Sequence, residues 1–280
     1  MDVRLTAATI DDLRLDHAVP AEPSGAPPVL YVHGLWGGAW VFEHYLAFTA
    51  TTGREAWAIN LRGHHRSRPV ADLGRVALED YVRDVADVLD VIGPAVVVGH
   101  SMGGLIAQAV ASRPDVVAAV FMASVPPPGI PLLSWPLVCR APRYALDVLR
   151  PRAFSVRPAD ARALALNAVP ASRQAAIAAR FVEDSGLAAR QIAFGEFPAP
   201  RPPRCPVLVI GAGEDRLTPA RLQRRIAAHY AADYVETPPH GHMLPVEVGW
   251  QAPIARVLTW LERVTAQAGR INLKLARTCS

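Results

Sequence analysis

One serine of the chain lies in a setting that could make it a nucleophile. The run Gly-His-Ser-Met-Gly-Gly at 99–104 follows the apolar segment 95–98 and opens a helical pattern from Leu105 onward. In this G-x-S-x-G arrangement a tight turn joins a strand to a helix, and the glycines are needed because a Cβ there would collide with neighbouring backbone. The sequence therefore predicts that Ser101 presents its hydroxyl at the edge of a sheet, in a strained backbone conformation.

Two backbone N–H groups are predicted to stabilise the negative charge that attack by this serine creates. The helix after the serine points its N-terminus at the reacting centre, where the N–H of Met102 can donate to a developing oxyanion. A second glycine-rich run, His-Gly-Leu-Trp-Gly-Gly at 33–38, follows another short apolar segment at 29–32. This loop can bring the N–H of Leu35 to the same oxygen, so Leu35 and Met102 are the predicted oxyanion donors.

Short apolar segments of this kind recur along the chain and predict a parallel sheet. They lack polar alternation, which fits strands buried on both faces, and longer helix-like segments separate most of them. The segments are 29–32, 56–59, 95–98, 117–121 and 207–210. Residues 78–92 carry apolar side chains at the spacing of one helix face, and a Gly-Pro pair ends that helix. Before the first segment, two short strands are predicted within 3–19, around a turn at 11–12.

The strand pattern stops between residues 126 and 203, which we call the cap segment. Pro-, Arg- and Ala-rich pieces there carry helical patterns, among them 159–167 and 172–183. Long excursions of this kind are usually functional lids or binding segments. We therefore predict an α/β core made of 1–125 and 204–268, a helical cap or lid at 126–203, and a frayed C-terminal tail at 269–280.

Apolar side chains of the cap segment predict a hydrophobic pocket for an acyl or alcohol group. The cap residues concerned are Leu132, Leu133, Trp135, Leu137 and Phe154. Two of these cap residues, Trp135 and Phe154, form the predicted substrate-binding set together with Trp36 of the glycine-rich run at 33–38.

From about Leu13 to Arg263 the chain resembles the α/β-hydrolase superfamily. Besides the two glycine-rich runs, residues 60–67 are similar to the D-x-R-G-x-G-x-S turn of that family, with Asn60 and His65 in place of its usual Asp and second Gly. These departures concern a structural turn and leave the catalytic residues unaffected. The resemblance implies the α/β-hydrolase fold, a mostly parallel eight-stranded sheet flanked by helices, with a helical cap inserted.

The same resemblance assigns an acid and a histidine. The family places its acid in a G-x-x-D-x-x-x-P pattern after a late strand, and residues 211–219 put Asp215 at that position, with Glu214 as a neighbouring competitor. The histidine comes last, after one more strand at 234–236, where His242 matches the family's Gly-His pair. The resulting chain order of Ser, Asp and His is the order of α/β-hydrolase triads.

These roles predict acyl transfer in two steps. His242 removes the proton of Ser101, the serine oxygen attacks an acyl carbonyl, and water then releases the acyl-enzyme, while Asp215 orients the histidine. No metal or organic cofactor is expected, because the chain has neither a P-loop nor the G-x-G-x-x-G pattern of a dinucleotide site. Its three cysteines lie far apart and lack metal-ligand spacing.

The composition bounds the class of molecule and its partners. Hydrophobic residues make up 51% and charged residues 19% of the 280 residues, which favours a large buried core. The net charge of +4 is spread over scattered arginines, so nucleic-acid binding is not expected. Prolines exclude an integral membrane span at 116–139, and the N-terminus lacks a signal-peptide pattern, which predicts a cytoplasmic protein. The expected partner is a small acyl substrate, and the sequence leaves the oligomeric state open.

The predicted machinery serves several reactions. Esterases, lipases, lactonases, amidases and thioesterases share this fold and this set of three residues, so the fold does not identify the substrate. A carboxylic ester hydrolase is our first hypothesis. The alternatives are a lyase, cyclase or thioesterase in a biosynthetic pathway, and a non-catalytic ligand receptor, against which the complete triad argues.

Overall fold

One eight-stranded sheet forms the centre of the molecule in the computed structural model, which describes the backbone of residues 3–278 and the side chains of residues 3–265. The strands are β1 (Arg4–Ile10), β2 (Leu13–Val19), β3 (Val29–Val32), β4 (Ala56–Ile59), β5 (Ala95–His100), β6 (Val116–Met122), β7 (Val207–Ala212) and β8 (Asp233–Thr237). Their spatial order is β1-β2-β4-β3-β5-β6-β7-β8. β1 and β2 form an antiparallel hairpin, β2 is antiparallel to β4, and the remaining neighbours are parallel. The predicted sheet of the α/β-hydrolase fold is confirmed.

Helices cover both faces of this sheet. The helices outside the cap segment are α1 (Glu43–Ala50), α2 (Leu78–Ile92), α3 (Met102–Val110), α9 (Ala220–His229) and α10 (Gln251–Thr278). Residues of α1 and α10 belong to one apolar cluster, whereas residues of α2, α3 and α9 belong to the other. α2 has the bounds that its pattern predicts, and it ends at Gly93, whose φ of 77° favours glycine.

Consecutive residues of the central strands pack on opposite faces of the sheet. In β3, Tyr31 lies in the apolar cluster of one face and Leu30 in that of the other. In β5, Val98 and Val97 divide in the same way, and all four side chains are fully buried. Because side chains alternate with a period of two and both faces are covered, these strands need apolar residues at every position.

The cap segment contains short helices and none of the eight strands. Its helices are α4 (Trp135–Val138), α5 (Ala145–Leu149), α6 (Pro158–Leu164), α7 (Ala171–Ala178) and α8 (Gly186–Phe194). The prediction of a helix over 172–183 is wrong at its end, because α7 stops at Ala178. Beyond it the chain reaches Asp184, which pairs with Phe154 in an isolated antiparallel bridge. The cap segment leaves after β6 and returns before β7, and these two strands are neighbours in the sheet.

The C-terminal part differs from the sequence prediction. The backbone of α10 continues through residue 278, so the frayed tail predicted from 269 is not observed over 269–278. Residues 279–280 of that predicted tail lie outside the described residues. Of the helices that the structure describes, each is too short or too polar to cross a lipid bilayer.

Candidate active site

Ser101 lies on a sharp turn between β5 and α3. Its φ of 57° and ψ of −118° are unusual for a residue with a side chain, and the turn is held by a hydrogen bond of 3.1 Å from its N–H to the carbonyl of Met122. A Cβ on Gly99 would lie 2.0 Å from the carbonyl oxygen of Gly103, and one on Gly103 would lie 2.1 Å from that of Val32. The turn therefore excludes side chains on both sides of the serine, as the sequence predicts.

The three predicted catalytic side chains meet in one hydrogen-bonded chain. His242 Nε2 lies 3.0 Å from Ser101 Oγ, and His242 Nδ1 lies 2.8 Å from Asp215 Oδ2. Ser101 follows β5, Asp215 follows β7 and His242 follows β8, so all three extend from carboxyl ends of parallel strands. This is the edge of an open α/β sheet at which ligands bind.

Asp215 is held as a carboxylate by its own loop. Its Oδ1 accepts hydrogen bonds from the backbone N–H groups of Leu217 at 2.7 Å and Thr218 at 2.9 Å. Burial alone raises the pKa of Asp215, but the charge of His242 and the hydrogen bonds from His242 and Thr218 bring that pKa below its ordinary value. Glu214, the competing acid, is exposed, and its backbone rather than its side chain contacts this region.

Two buried groups fix the loop that carries His242. The carboxylate of Glu247 accepts hydrogen bonds from the N–H groups of Gly241 at 2.9 Å and Met243 at 3.0 Å, on either side of the histidine. His100 Nε2 donates to the carbonyl of His242 at 2.7 Å. Burial lowers the pKa of His100 to about 3, so this ring stays neutral and keeps the proton that it donates.

The two predicted oxyanion donors have N–H groups without a protein acceptor among the described residues. Met102 is the first residue of α3, where a helical N–H has no intrahelical partner. Leu35 lies in the loop after β3, beside Trp36, which adopts a left-handed φ of 62°. Their action on an oxyanion stays a prediction, and the geometry that supports it is the position of both loops next to Ser101. A Cβ on Gly34 would lie only 2.6 Å from Ser101 Cβ.

The cap segment holds the loop after β3. Trp36 donates through its indole Nε1 to the carbonyl of Phe154 at 3.2 Å, and the two rings pack edge to face with centroids 5.5 Å apart. The N–H of Trp36 donates to Asp184 Oδ2 at 2.7 Å, and its carbonyl accepts from the N–H of Val182 at 3.0 Å. No local pattern in the sequence predicts this role of Asp184, because an Asp-Ser pair before a helix indicates only a helix start, here α8 with Ser185 as its N-cap.

The predicted substrate-binding residues have different surroundings. Trp36 and Phe154 pack together beside the Ser101 site, and their role in binding substrate stays a prediction. Trp135 is 77% exposed on α4, so it does not wall an enclosed pocket here, and its predicted role in binding substrate stays a prediction that this exposure does not support. The proline-rich sequence around it predicts an apolar connection, but nothing local indicates which of its side chains point inward.

The turn at 60–67 retains its structural role despite its two departures from the family pattern. Asn60 Oδ1 accepts a hydrogen bond from the N–H of Ala39 at 2.8 Å, and its Nδ2 donates to the carbonyl of Arg14 at 3.3 Å. His65 packs against Gly38 in the loop after β3. Within the described residues, no three His, Cys, Asp or Glu side chains are grouped closely enough to hold a metal ion.

Comparison with known proteins shows that the chain is similar to hydrolases. The sequence model of the alpha/beta hydrolase family matches residues 29–259. The chain is 39% identical over 106 residues to an esterase, PIR7B, of Oryza sativa subsp. japonica, a match that covers 35% of this chain and 38% of the relative. It is 34% identical over 108 residues to an epoxide hydrolase of Caballeronia sordidicola, covering 38% of this chain and 33% of the relative. The chain thus spans well under half the length of these relatives.

A solved structure extends the similarity to nearly the whole chain. A hydrolase from Pseudomonas aeruginosa PA01 superposes with a TM-score of 0.67 and 22% sequence identity, over 92% of this chain and 98% of that one. At this identity the likeness concerns the fold alone.

Proposed function

The chain belongs to the alpha/beta hydrolase family, and from that premise we propose that it hydrolyses a carboxylic ester of a small, hydrophobic substrate through an acyl-enzyme on Ser101. The observation that carries this proposal is the hydrogen-bonded chain from Asp215 through His242 to Ser101, with distances of 2.8 Å and 3.0 Å. In this arrangement a weakly nucleophilic hydroxyl has a base within reach, and the base has a carboxylate that orients it.

The proposed reaction follows from the contacts of the histidine. With its Nδ1 proton held by Asp215, His242 has a free Nε2 lone pair that takes the proton of Ser101 as the serine oxygen bonds to the acyl carbonyl carbon. The imidazolium then gives that proton to the leaving alcohol. A water molecule, deprotonated by the same Nε2, attacks the acyl-enzyme and releases the acid with Ser101 restored.

The N–H groups of Leu35 and Met102 are the proposed donors to the tetrahedral oxyanion. Their loops border Ser101 on two sides, and neither N–H has another acceptor among the described residues. Donors that are already fixed need no reorganisation when negative charge develops, which is why removal of one such donor typically costs about 10² to 10³ in kcat.

A serine nucleophile favours acyl substrates over epoxides. Attack of a serine oxygen on an epoxide would leave an alkyl ether, which this machinery cannot hydrolyse, whereas attack on an ester leaves an acyl-enzyme that water can open. Relatives that resemble epoxide hydrolases carry aspartate at the nucleophile position, where this chain has Ser101. The relative named epoxide hydrolase therefore supports the family and does not specify the bond that is cleaved.

The cap segment is the proposed substrate-selecting lid. It contacts the loops on two sides of the serine: Trp36 through Phe154 and Asp184, and the acid loop through Asn167, whose Nδ2 donates to the carbonyl of Glu214 at 2.9 Å. Neither the triad nor the oxyanion donors lie within it. A hydrophobic wall from this segment would select the acyl or alcohol group without altering the chemical step.

The experiment that tests the function combines a label with a substrate panel. We expect a fluorophosphonate probe to label the wild-type protein at Ser101 and not to label Ser101→Ala, and we expect hydrolysis of p-nitrophenyl esters. Labelling without hydrolysis of esters, thioesters or lactones would favour lyase or cyclase chemistry by the same residues. Absence of labelling would contradict a serine mechanism and favour a ligand receptor.

A further inference from the structure

A second buried carboxylate, Asp184, lies at the contact between the cap segment and the loop after β3. Its side chain is fully buried, three donors hydrogen-bond to its two oxygens, and the ring of His64 lies against it. Oδ2 accepts from the N–H of Trp36 at 2.7 Å and lies 3.0 Å from His64 Nε2. Oδ1 accepts from the hydroxyl of Tyr81 at 2.9 Å and from the N–H of Ser185 at 2.7 Å. One cap carboxylate therefore ties together three separate parts of the core.

The ring of His64 is arranged to carry a positive charge. Its Nδ1 lies 2.9 Å from the carbonyl oxygen of Arg62, and its Nε2 faces the carboxylate of Asp184, so both nitrogens meet groups that only accept. Burial alone lowers the pKa of His64, but the charge of Asp184 brings that pKa above its ordinary value. Burial likewise raises the pKa of Asp184, and the charge of His64 brings it below its ordinary value.

Trp36, whose N–H donates to Asp184, directly follows the predicted oxyanion donor Leu35. Its left-handed φ of 62° is costly for a residue with a side chain, so this conformation persists only where contacts hold it. Three contacts do so, all with the cap segment: its N–H to Asp184, its carbonyl to Val182 and its indole to Phe154. The bond to Asp184 is the charge-assisted one, and such bonds are the stronger class.

We propose that Asp184, as a carboxylate paired with buried His64, is a positioning residue that fixes the backbone of Trp36 and thereby aims the N–H of Leu35 at the oxyanion formed on Ser101. The cap segment then completes the oxyanion site through a fixed contact in addition to covering the substrate. This inference rests on the proposed function, because it assigns a purpose to one part of the proposed catalytic site.

The neutral amide of an Asp184→Asn variant cannot replace the carboxylate. If its oxygen accepts from Tyr81 and Ser185, its NH₂ group faces the N–H of Trp36 and the protonated Nε2 of His64, so donors face donors. In the opposite orientation its oxygen can accept from Trp36, but its NH₂ group then faces the N–H of Ser185, a donor against a donor, while the hydroxyl of Tyr81 has to turn and accept. Tyr81→Phe is the matched control, because it removes one hydrogen bond from the same carboxylate while leaving the contact of Oδ2 with Trp36 in place.

Kinetics of these two variants test the consequence. A donor misplaced by a fraction of an ångström stabilises the transition state less, while it changes the binding of the substrate little. Asp184→Asn should therefore lower kcat by about 10- to 100-fold and change KM by less than about threefold. Tyr81→Phe should keep kcat within about threefold. The rate of fluorophosphonate labelling of Ser101 should follow kcat. A folded Asp184→Asn variant with the kinetics of Tyr81→Phe would overturn the proposal and make Asp184 a structural contact only.

A second variant and a second measurement cover loss of folding. Asp184→Glu keeps the charge but displaces the oxygens by one methylene, so it should show the same loss of kcat at constant KM, and unchanged kcat would count against positioning. Amide hydrogen exchange measures the contact between Asp184 and Trp36 without activity: exchange of the Trp36 N–H, which donates to Asp184, should accelerate at least about tenfold more in either Asp184 variant than in Tyr81→Phe. Equal exchange of the Trp36 N–H in the Asp184 variants and in Tyr81→Phe would show that Asp184 does not hold the backbone of Trp36. A failure of the proposed function is recognised separately, as a wild-type protein that the probe does not label.

Discussion

Two of the three buried histidine–carboxylate pairs among the described residues, those of His242 with Asp215 and of His64 with Asp184, differ in what the second nitrogen of each ring faces. In the pair of His242 with Asp215, at 2.8 Å, the other ring nitrogen meets the hydroxyl of Ser101, which can donate a proton. In the pair of His64 with Asp184, at 3.0 Å, the other ring nitrogen meets a carbonyl oxygen, which can only accept. The first ring can therefore accept the proton of Ser101, whereas both nitrogens of the second ring face acceptors, an arrangement that favours its charged form.

The difference shows that a His–Asp contact does not identify a catalytic base. The triad pair lies on loops of the core, and its proposed role is to move a proton, while the pair of His64 and Asp184 joins the core to the cap segment, and its proposed role is to hold the loop after β3. Among the residues whose side chains the structure describes, His64 makes no hydrogen bond to a serine, threonine or cysteine side chain, and its ring lies near those of His33 and Tyr81, with centroids 5.0 Å and 5.9 Å away. Variants that separate proton transfer from positioning test this contrast.

The largest expected effect is that of removing the nucleophile. Ser101→Ala should lower kcat by about 10⁴ to 10⁶ with the fold retained, because the triad acts as a unit. Ser172→Ala, at an exposed serine of α7, is the control and should retain activity. Steady-state ester hydrolysis and circular dichroism measure both. Near-normal turnover by a folded Ser101→Ala protein would remove the proton-transfer role from the first pair.

The next effect is that of neutralising the acid of the first pair. Asp215→Asn should lower kcat by about 10⁴, because the amide neither stabilises the imidazolium nor holds the required tautomer. Glu214→Gln, at the exposed neighbour, should change kcat less than about twofold. The assay is kcat for one p-nitrophenyl ester. A reversal of the two effects would assign the acid to Glu214.

The sequence predicts the first pair and misses the second for a physical reason. The apolar runs and the glycine pattern around Ser101 are local and predict the sheet and the turn of the serine, whereas the loops of Asp215 and His242 are predicted through the resemblance to the family. Asp184 contacts Trp36 across 148 residues of chain, and no local pattern encodes that contact. The same contact explains the wrong end of α7, because residues after Ala178 leave the helix to reach the loop after β3, where the N–H of Val182 bonds to the carbonyl of Trp36.

The pair of His64 and Asp184 should also appear in the pH dependence of stability. The folded-state pKa of His64 is raised from 6.5, so its contribution is present below that pH and is lost as pH rises through the folded-state value. The folded-state pKa of Asp184 is lowered from 3.8, so its contribution is present above that pH and is lost as pH falls through the folded-state value. Between these limits, breaking the pair by His64→Gln should cost about 3–5 kcal/mol of unfolding free energy.

The measurement is urea unfolding of wild type and His64→Gln between pH 5 and about pH 9. The difference between the two proteins should shrink as pH rises, because only the wild type loses the charged pair. Burial lowers the pKa of the neighbouring His33 to about 3, so this ring stays neutral in this range, and burial also lowers the pKa of His65. A difference that is constant with pH would mean that His64 is not charged in the folded protein.

The smallest expected effect concerns substrate choice, which should depend on the cap side of the site and not on the triad. Phe154 packs on Trp36 beside the pair of His64 and Asp184, and is 7% exposed, whereas Trp135 lies 77% exposed on the same segment. Phe154→Ala should change the preference between long and short acyl esters by about 1–3 kcal/mol, the value of a lost apolar contact in a pocket, while Trp135→Ala should not. The ratio of kcat/KM for a long and an acetyl p-nitrophenyl ester measures this, and Phe154→Leu separates lost contact from lost folding.

Asp215→Asn should lower both rates and leave their ratio unchanged, since its effect is on proton transfer common to all esters. If Phe154→Ala leaves the ratio untouched, or if Asp215→Asn alters it as much, substrate selection does not reside in this part of the cap segment.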